Sequence, residues 1–251
     1  MIRALAIIAL LWPCAVSAED RRTGYDDMSP ALQLLQDDPM NPGVFWVLDG
    51  ERLWAEPAGE AEQSCADCHV EAGASMQGVA ARYPAWDEAL STPVDLSGRI
   101  GLCQTRYQGL AEAGDRSHPD RLALLAYVTH QSRGLPITPD PDPRLAPARA
   151  EGEALFFTRM GQLSLSCAQC HDDNAGGHLA AARIPEAHPT GYPQYRLEWE
   201  TLGTLDRRLA GCMTGVRAEP FAPGSAQTVA LELYLKSRAS GLAMESLPIR
   251  P

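Results

Sequence analysis

The chain has 251 residues, 45% hydrophobic and only 6% aromatic, with 21 basic against 32 acidic side chains for a net charge of −11. That balance suits a folded protein of one or two domains and excludes a disordered chain. With Lys236 as its single lysine and an acidic surface, the chain repels nucleic acid and anionic membranes, so neither is an expected partner.

In chain order the first element is a leader: Met1-Ile2-Arg3, an apolar run over residues 4–12, then Ala-Val-Ser-Ala at 15–18. This pattern predicts a secretory signal peptide over 1–18, cut after Ala18, with Cys14 discarded inside it. The leader carries one arginine and no acid, so the mature chain has a net charge of −12. No later apolar run approaches the ~20 residues of a membrane-spanning helix.

Next comes Gly50-Glu51-Arg52-Leu53-Trp54, and after it Cys65-Ala66-Asp67-Cys68-His69. Two cysteines separated by two residues with an adjoining histidine are the attachment signature of a c-type haem. The two thiols take the porphyrin vinyl groups and the histidine becomes an axial iron ligand. An isolated Cys103 lies well beyond His69, and residues 122–131 show apolar positions at helical spacing. Residues 136–147 then contain five prolines, a composition that predicts a stiff extended linker.

Beyond the linker the order recurs. A predicted helix over 150–160 contains Gly152-Glu153-Ala154-Leu155-Phe156, and Cys167-Ala168-Gln169-Cys170-His171 follows it. The interval from Gly152 to Cys167 equals that from Gly50 to Cys65. Residues 176–195, rich in Gly and Pro, read as a loop wrapping a cofactor. An isolated Cys212 follows His171 at a somewhat longer interval than Cys103 follows His69, and residues 229–235 match 122–128. The expected fold is therefore mainly α with little strand. It comprises two tandem class I cytochrome c-like domains related by a pseudo-twofold repeat, with long haem-wrapping loops. Residues 19–135 form the first domain and 148–251 the second, each with one covalent haem c filling the core that few aromatics leave thin.

A six-coordinate haem needs a second axial group besides His69 or His171. Met76 follows its motif too closely, Met160 precedes its own, and Met213 and Met244 stay open for the second domain. Only Cys103 and Cys212 occupy matched places in both repeats, and a thiolate there lowers the iron potential relative to methionine. A Cys103–Cys212 disulfide is the competing reading in an oxidising compartment. Arg207, Arg208 and Arg217 flank Cys212 within five residues and suit an oxyanion, with pairing to haem propionates as the alternative for Arg207 and Arg217. Arg99 precedes Cys103 by the same four residues as Arg208 precedes Cys212, so this spacing alone is not diagnostic. His118, His130, His178 and His188 read as surface residues, and Trp46, Trp54, Trp86 and Trp199 as core or haem packing.

The two haem motifs, the two isolated cysteines and the stretch from Asp206-Arg207-Arg208-Leu209-Ala210-Gly211-Cys212-Met213 to Gly224-Ser225 together resemble the SoxA family of dihaem cytochromes from the bacterial sulfur-oxidising system. The resemblance spans nearly all of the mature chain. It implies a periplasmic L-cysteine S-thiosulfotransferase that joins thiosulfate to a cysteine of the carrier SoxYZ and passes two electrons to a cytochrome c. It further implies a SoxX-like monohaem partner. It makes Cys212 both haem ligand and catalytic residue, able to carry a persulfide, and Arg208 a substrate-binding residue. A plain dihaem electron-transfer cytochrome is the runner-up, and a dihaem peroxidase the third reading.

Overall fold

The computed structural model describes residues 21–111, 115–180 and 182–251; the predicted leader and its cleavage site lie outside them. The first unit opens with α1 (Pro30–Asp37) and α2 (Pro42–Ala55), each with proline in its first turn, where no backbone donor is missed. Asn41 caps α2 by accepting from Gly43 N at 2.8 Å. Then come α3 (Cys65–His69), α4 (Ala72–Ser75), α5 (Val79–Arg82), a hairpin of β1 (Ala85–Asp87) and β2 (Thr92–Val94), α6 (Leu96–Cys103) and α7 (Pro119–His130). The second unit contains α8 (Ala146–Phe157), α9 (Cys167–His171), β3 (His178–Leu179), β4 (Ala182–Arg183), β5 (Gln194–Arg196), β6 (Thr201–Gly203), α10 (Leu205–Gly215), α11 (Ala226–Arg238) and β7 (Ile249–Arg250).

The main helix pairs are α2 on α7 and α8 on α11, and each crosses at a glycine. A Cβ on Gly50 would lie 2.1 Å from the Ala123 carbonyl oxygen, and one on Gly152 only 1.9 Å from that of Ala230. No side chain fits either crossing, so the glycines of the two repeated segments exist to let backbones touch. Trp54 and Tyr127 meet edge-on beside the first crossing, and Phe156 and Tyr234 tilt together beside the second.

Three features depart from the sequence expectations. The proline-rich stretch is not a free spacer: Ile137 is fully buried, Ile137 N donates to Leu242 O at 2.8 Å, and residues 143–145 already turn as a short 3-10 helix. The C-terminal tail does not stay with the second unit, since Ala239, Leu242 and Met244 complete the first unit's core. Beyond them, β7 pairs parallel with β5. Both isolated cysteines sit on helices, Cys103 ending α6 and Cys212 within α10, where irregular chain was expected.

The units are joined through charge as well as apolar packing. Arg116 bonds both Asp95, the N-cap of α6, and Asp206 in the first turn of α10, the latter at 3.0 Å. Lys236 is buried nearby, its Nζ 3.5 Å from Met244 Sδ, and burial holds it below its ordinary pKa. No helix among the described residues is long and apolar enough to cross a membrane.

Candidate haem sites and the surroundings of Cys212

Each haem motif is a short helix started by its own capping box. Ser64 accepts from Asp67 N at 3.1 Å while Asp67 accepts from Ser64 N at 2.8 Å; Ser166 and Gln169 do the same at 3.3 and 3.0 Å. The two unassigned positions of each motif thus include the residue that closes the cap, which fixes the cysteines and histidine on about one turn.

A second device brings each isolated cysteine to its motif. The turn before each motif contains a glycine at positive φ, Gly59 at +67° and Gly161 at +68°. A Cβ there would strike the Gln108 or Val216 carbonyl oxygen at 1.9 or 2.2 Å. The turns then hydrogen-bond to the chain just past the cysteines: Ala61 N to Gln108 O at 3.1 Å, and Gln162 N to Arg217 O at 3.2 Å. Gln108 and Arg217 each stand five residues after the isolated cysteine, so the pseudo-symmetry extends to these contacts.

In the first unit one cleft, about 1010 Å³ with its open mouth included, is lined by Cys65, Cys68, His69 and Cys103 together with apolar walls from Trp54, Ile100 and Leu124. Met76 lines it too, despite its closeness to His69 in sequence. In the second unit His171 Nδ1 lies 2.7 Å from Pro185 O. A carbonyl only accepts, so Nδ1 carries the hydrogen and the free lone pair sits on Nε2, the orientation an axial histidine needs. Burial also pushes His171 below its ordinary pKa, favouring the neutral ligating form. The donor sets and apolar walls therefore fit a covalently attached haem.

All six cysteines of the described chain are free thiols, so no bridge joins Cys103 to Cys212. Burial pushes Cys65 and Cys167 up to about 11, with Cys103 and Cys212 respectively adding to the shift, which puts each isolated cysteine within electrostatic reach of its motif. Met244 is buried against Lys236 in the first core, and Met213, beside Cys212, is buried at 7% exposure. Of the remaining histidines, His118 caps α7, His130 bonds Ser246 at 2.6 Å and His188 bonds Arg22 O at 2.8 Å. His178 is exposed on β3.

The two isolated cysteines have different electrostatic surroundings. The segments from Tyr83 to Cys103 and from Tyr192 to Cys212 are equal in length and align without a gap. Both begin with a cis Tyr-Pro bond and run through a hairpin into the cysteine's helix. Arg99 and Arg208 then occupy the same place. Arg99 is held by Asp87 at 2.7 Å and Tyr83 Oη at 3.1 Å, and Asp87 also takes Arg106 at 3.2 Å. The Arg208 side chain has no ion-pair or hydrogen-bond partner among the described residues. Arg207 is exposed and stacks over Trp199, 4.1 Å from its ring centroid, and Arg217 is exposed with φ +59°. Where the first unit has Asp87, the second has Arg196. Reading outward from the haem histidines, where the intervals differ, hides this correspondence; reading back from the cysteines reveals it.

Asp87 is 1% exposed, and Arg106, the Leu90 backbone N–H and Arg99 hold its carboxyl down to about 2 against the opposing effect of burial. A depressed folded-state value stabilises the fold above the ordinary carboxylate pKa, and that stabilisation fades as pH falls from about 4 towards 2. Asp87→Asn is expected to lower Tm by about 2–6 °C at pH 7. The gap to wild type should close near pH 2, as calorimetry across that range would measure.

These features define a c-type cytochrome: capped Cys-x-x-Cys-His helices, glycine-crossed terminal helices and short sheet elements around two cores. The family model described as SoxA/TsdA cytochrome c domain matches residues 49–137 and 151–244, and the chain belongs to the SoxA family. It is 35% identical over 211 residues to the L-cysteine S-thiosulfotransferase subunit SoxA of Pseudaminobacter salicylatoxidans, covering 84% of this chain and 73% of the relative. It is 34% identical to the protein of that name from Rhodovulum sulfidophilum, covering 92% of this chain and 81% of the relative. The crystal structure of SoxXA from P. pantotrophus superposes with a TM-score of 0.87 at 32% identity, over 92% of this chain and 87% of that one.

Proposed function

We propose that this chain is the SoxA subunit of an L-cysteine S-thiosulfotransferase, with one covalent haem c in each of the units 19–135 and 148–251. His69 with Cys103 would hold the iron of the first haem, and His171 with Cys212 that of the second. Export to the periplasm follows from the leader, and the likeness to SoxXA supports a SoxX-like monohaem partner. The observation carrying the catalytic assignment is that Cys212 lies four residues beyond an arginine without a partner among the described residues, whereas the arginine before Cys103 is ion-paired with Asp87.

In this reading Arg208 receives the sulfonate-like end of thiosulfate and turns its outer sulfur towards Cys212. The Cys212 thiolate and thiosulfate together lose two electrons and join through a new S–S bond. A carrier cysteine thiolate on SoxYZ then attacks the outer sulfur, takes the S–SO3 group and releases the Cys212 thiolate. When bound, the haems supply one-electron acceptor chemistry that passes the electrons to a cytochrome c. Arg207 and Arg217 raise the local positive potential against a bulk charge of −12 that opposes a dianion.

Arg208→Gln in the haem-loaded complex is expected to lower kcat/KM for thiosulfate by about 10–100-fold, the value of one charge-assisted contact, with the visible spectrum unchanged. Unaltered kinetics would remove Arg208 from the site. Mass measurement of the mature chain should show two haems.

A further inference from the structure

The two segments that end in Cys103 and Cys212 have the same length, the same cis Tyr-Pro start, the same hairpin and the same arginine four residues before the cysteine. Among the register positions where their charges differ, one reverses sign at the end of the first hairpin strand. Asp87 pairs with Thr92 across the first hairpin and Arg196 with Thr201 across the second, so the two residues end equivalent strands. In the first unit the buried Asp87 carboxylate binds Arg99 and Arg106 together, so both guanidiniums near Cys103 share an anionic partner within the chain.

In the second unit the equivalent side chain is a guanidinium, 12% exposed. Its own contacts are Glu198 at 3.1 Å, an oxygen of the last residue, Pro251, at 2.8 Å and the Trp199 face at 5.0 Å. Glu198 is 54% exposed, so solvent screens that pair. Burial and then the charge of Arg208 push Arg196 below its ordinary pKa, and Cys212 lies within the same electrostatic reach. No buried carboxylate among the described residues binds Arg196 and Arg208 together as Asp87 binds Arg99 and Arg106, so an anion would complete the arrangement.

We infer that this register position, Asp87 in the first unit and Arg196 in the second, assigns the anionic substrate to Cys212 rather than Cys103, with Arg196 acting as a positioning residue through its charge. The ligand class is a small sulfur oxyanion with a sulfonate-like end. The inference rests on the function proposed above, and it adds what makes one of two pseudo-symmetric sites receptive.

The test uses the haem-loaded complex with its monohaem partner, thiosulfate as probe and the carrier as acceptor. Arg196→Gln should raise KM for thiosulfate about 5–20-fold with kcat within about twofold, while Arg196→Lys, which keeps the charge, stays within about threefold of wild type. Glu198→Gln, at an exposed position where folding is safe, should lower KM about 2–5-fold. Asp87→Asn should make thiosulfate perturb the visible spectrum of the first haem at concentrations that leave wild type unchanged. The inference is overturned if Glu198→Gln and Arg196→Gln both leave KM unaltered, or if Arg196→Lys is as impaired as Arg196→Gln. A Cys212→Ser variant run alongside separates the two levels. Retained transfer there sinks the proposed function itself, whereas lost transfer combined with an indifferent Arg196 sinks only this inference.

Discussion

Gly152→Ala should destabilise the second unit by about 2–4 kcal/mol, and Gly152→Leu should prevent it from folding around its haem. Alanine ordinarily stabilises a helix by about 1 kcal/mol over glycine. Here the added carbon would lie 1.9 Å from the Ala230 oxygen and 2.5 Å from its carbonyl carbon, both main-chain atoms of α11 that no rotamer change can move. Helices α8 and α11 must separate, and Phe156, 1% exposed between them, then loses its close packing against Tyr234. Gly50→Ala should behave alike in the first unit, where the Ala123 oxygen is 2.1 Å away. Gly211 on α10 has nothing within 4 Å of its virtual Cβ, so Gly211→Ala should be neutral or stabilising by up to about 1 kcal/mol. Thermal unfolding of the haem-loaded variants checks the contrast: a Tm drop of about 5–15 °C for Gly152→Ala against none for Gly211→Ala. Equal behaviour of the two would mean that the crossing relaxes without cost.

That glycine pair also marks how far the sequence speaks. The repeat of Gly50 and Gly152 at a fixed distance from the two motifs is plain in the residues, and so is the helical spacing of 122–131. These signals are local and depend on neighbours within one or two turns. The packed linker and the wandering tail are tertiary outcomes. Nothing in a run of five prolines says that Ile137 between them is fully buried, or that the chain from 239 to 244 returns to the first core. Helices α6 and α10 give a weak sequence signal because Gly98, Gly101, Gly211 and Gly215 lower their intrinsic propensity. Their N-caps Asp95 and Thr204, and the Arg116 contacts at their starts, hold them in place.

The residues of the candidate site stand out in the sequence, but the contrast between its two halves does not. Motif spacing identifies Cys65, Cys68, His69, Cys167, Cys170 and His171, and matched order singles out Cys103 and Cys212. The unequal intervals from His69 to Cys103 and from His171 to Cys212, however, make the first isolated cysteine look only loosely equivalent to the second. The surplus lies between the second motif and Tyr192, in the loop that holds β3, β4 and the Pro185 carbonyl bonded to His171. Extra chain there gives His171 an orienting partner, and it leaves the cysteine-bearing segments themselves in ungapped register.

Cys212→Ser should reduce thiosulfate transfer to the carrier by at least about 10³-fold, the scale on which an essential nucleophile is lost. Both proposed haems should remain attached, because the proposed attachment falls to Cys65, Cys68, Cys167 and Cys170. Serine keeps the size of the side chain and the α10 backbone, so thermal stability should change by less than about 1.5 kcal/mol. Cys103→Ser gives the opposite pattern. With Cys103 as the proposed thiolate ligand, its replacement should raise the potential of the first haem and alter its spectrum, while transfer at the second site falls only as far as electron removal slows. The asymmetry follows from charge, since Arg99 beside Cys103 already has Asp87, and an anion arriving there would have to displace a carboxylate that is 1% exposed. Parallel measurement of transfer rate and haem potentials in the two variants separates a substrate-bearing cysteine from a redox-tuning one. Equal loss of transfer in both would mean that the cysteines share one redox role, leaving a plain dihaem electron carrier as the better description of the chain.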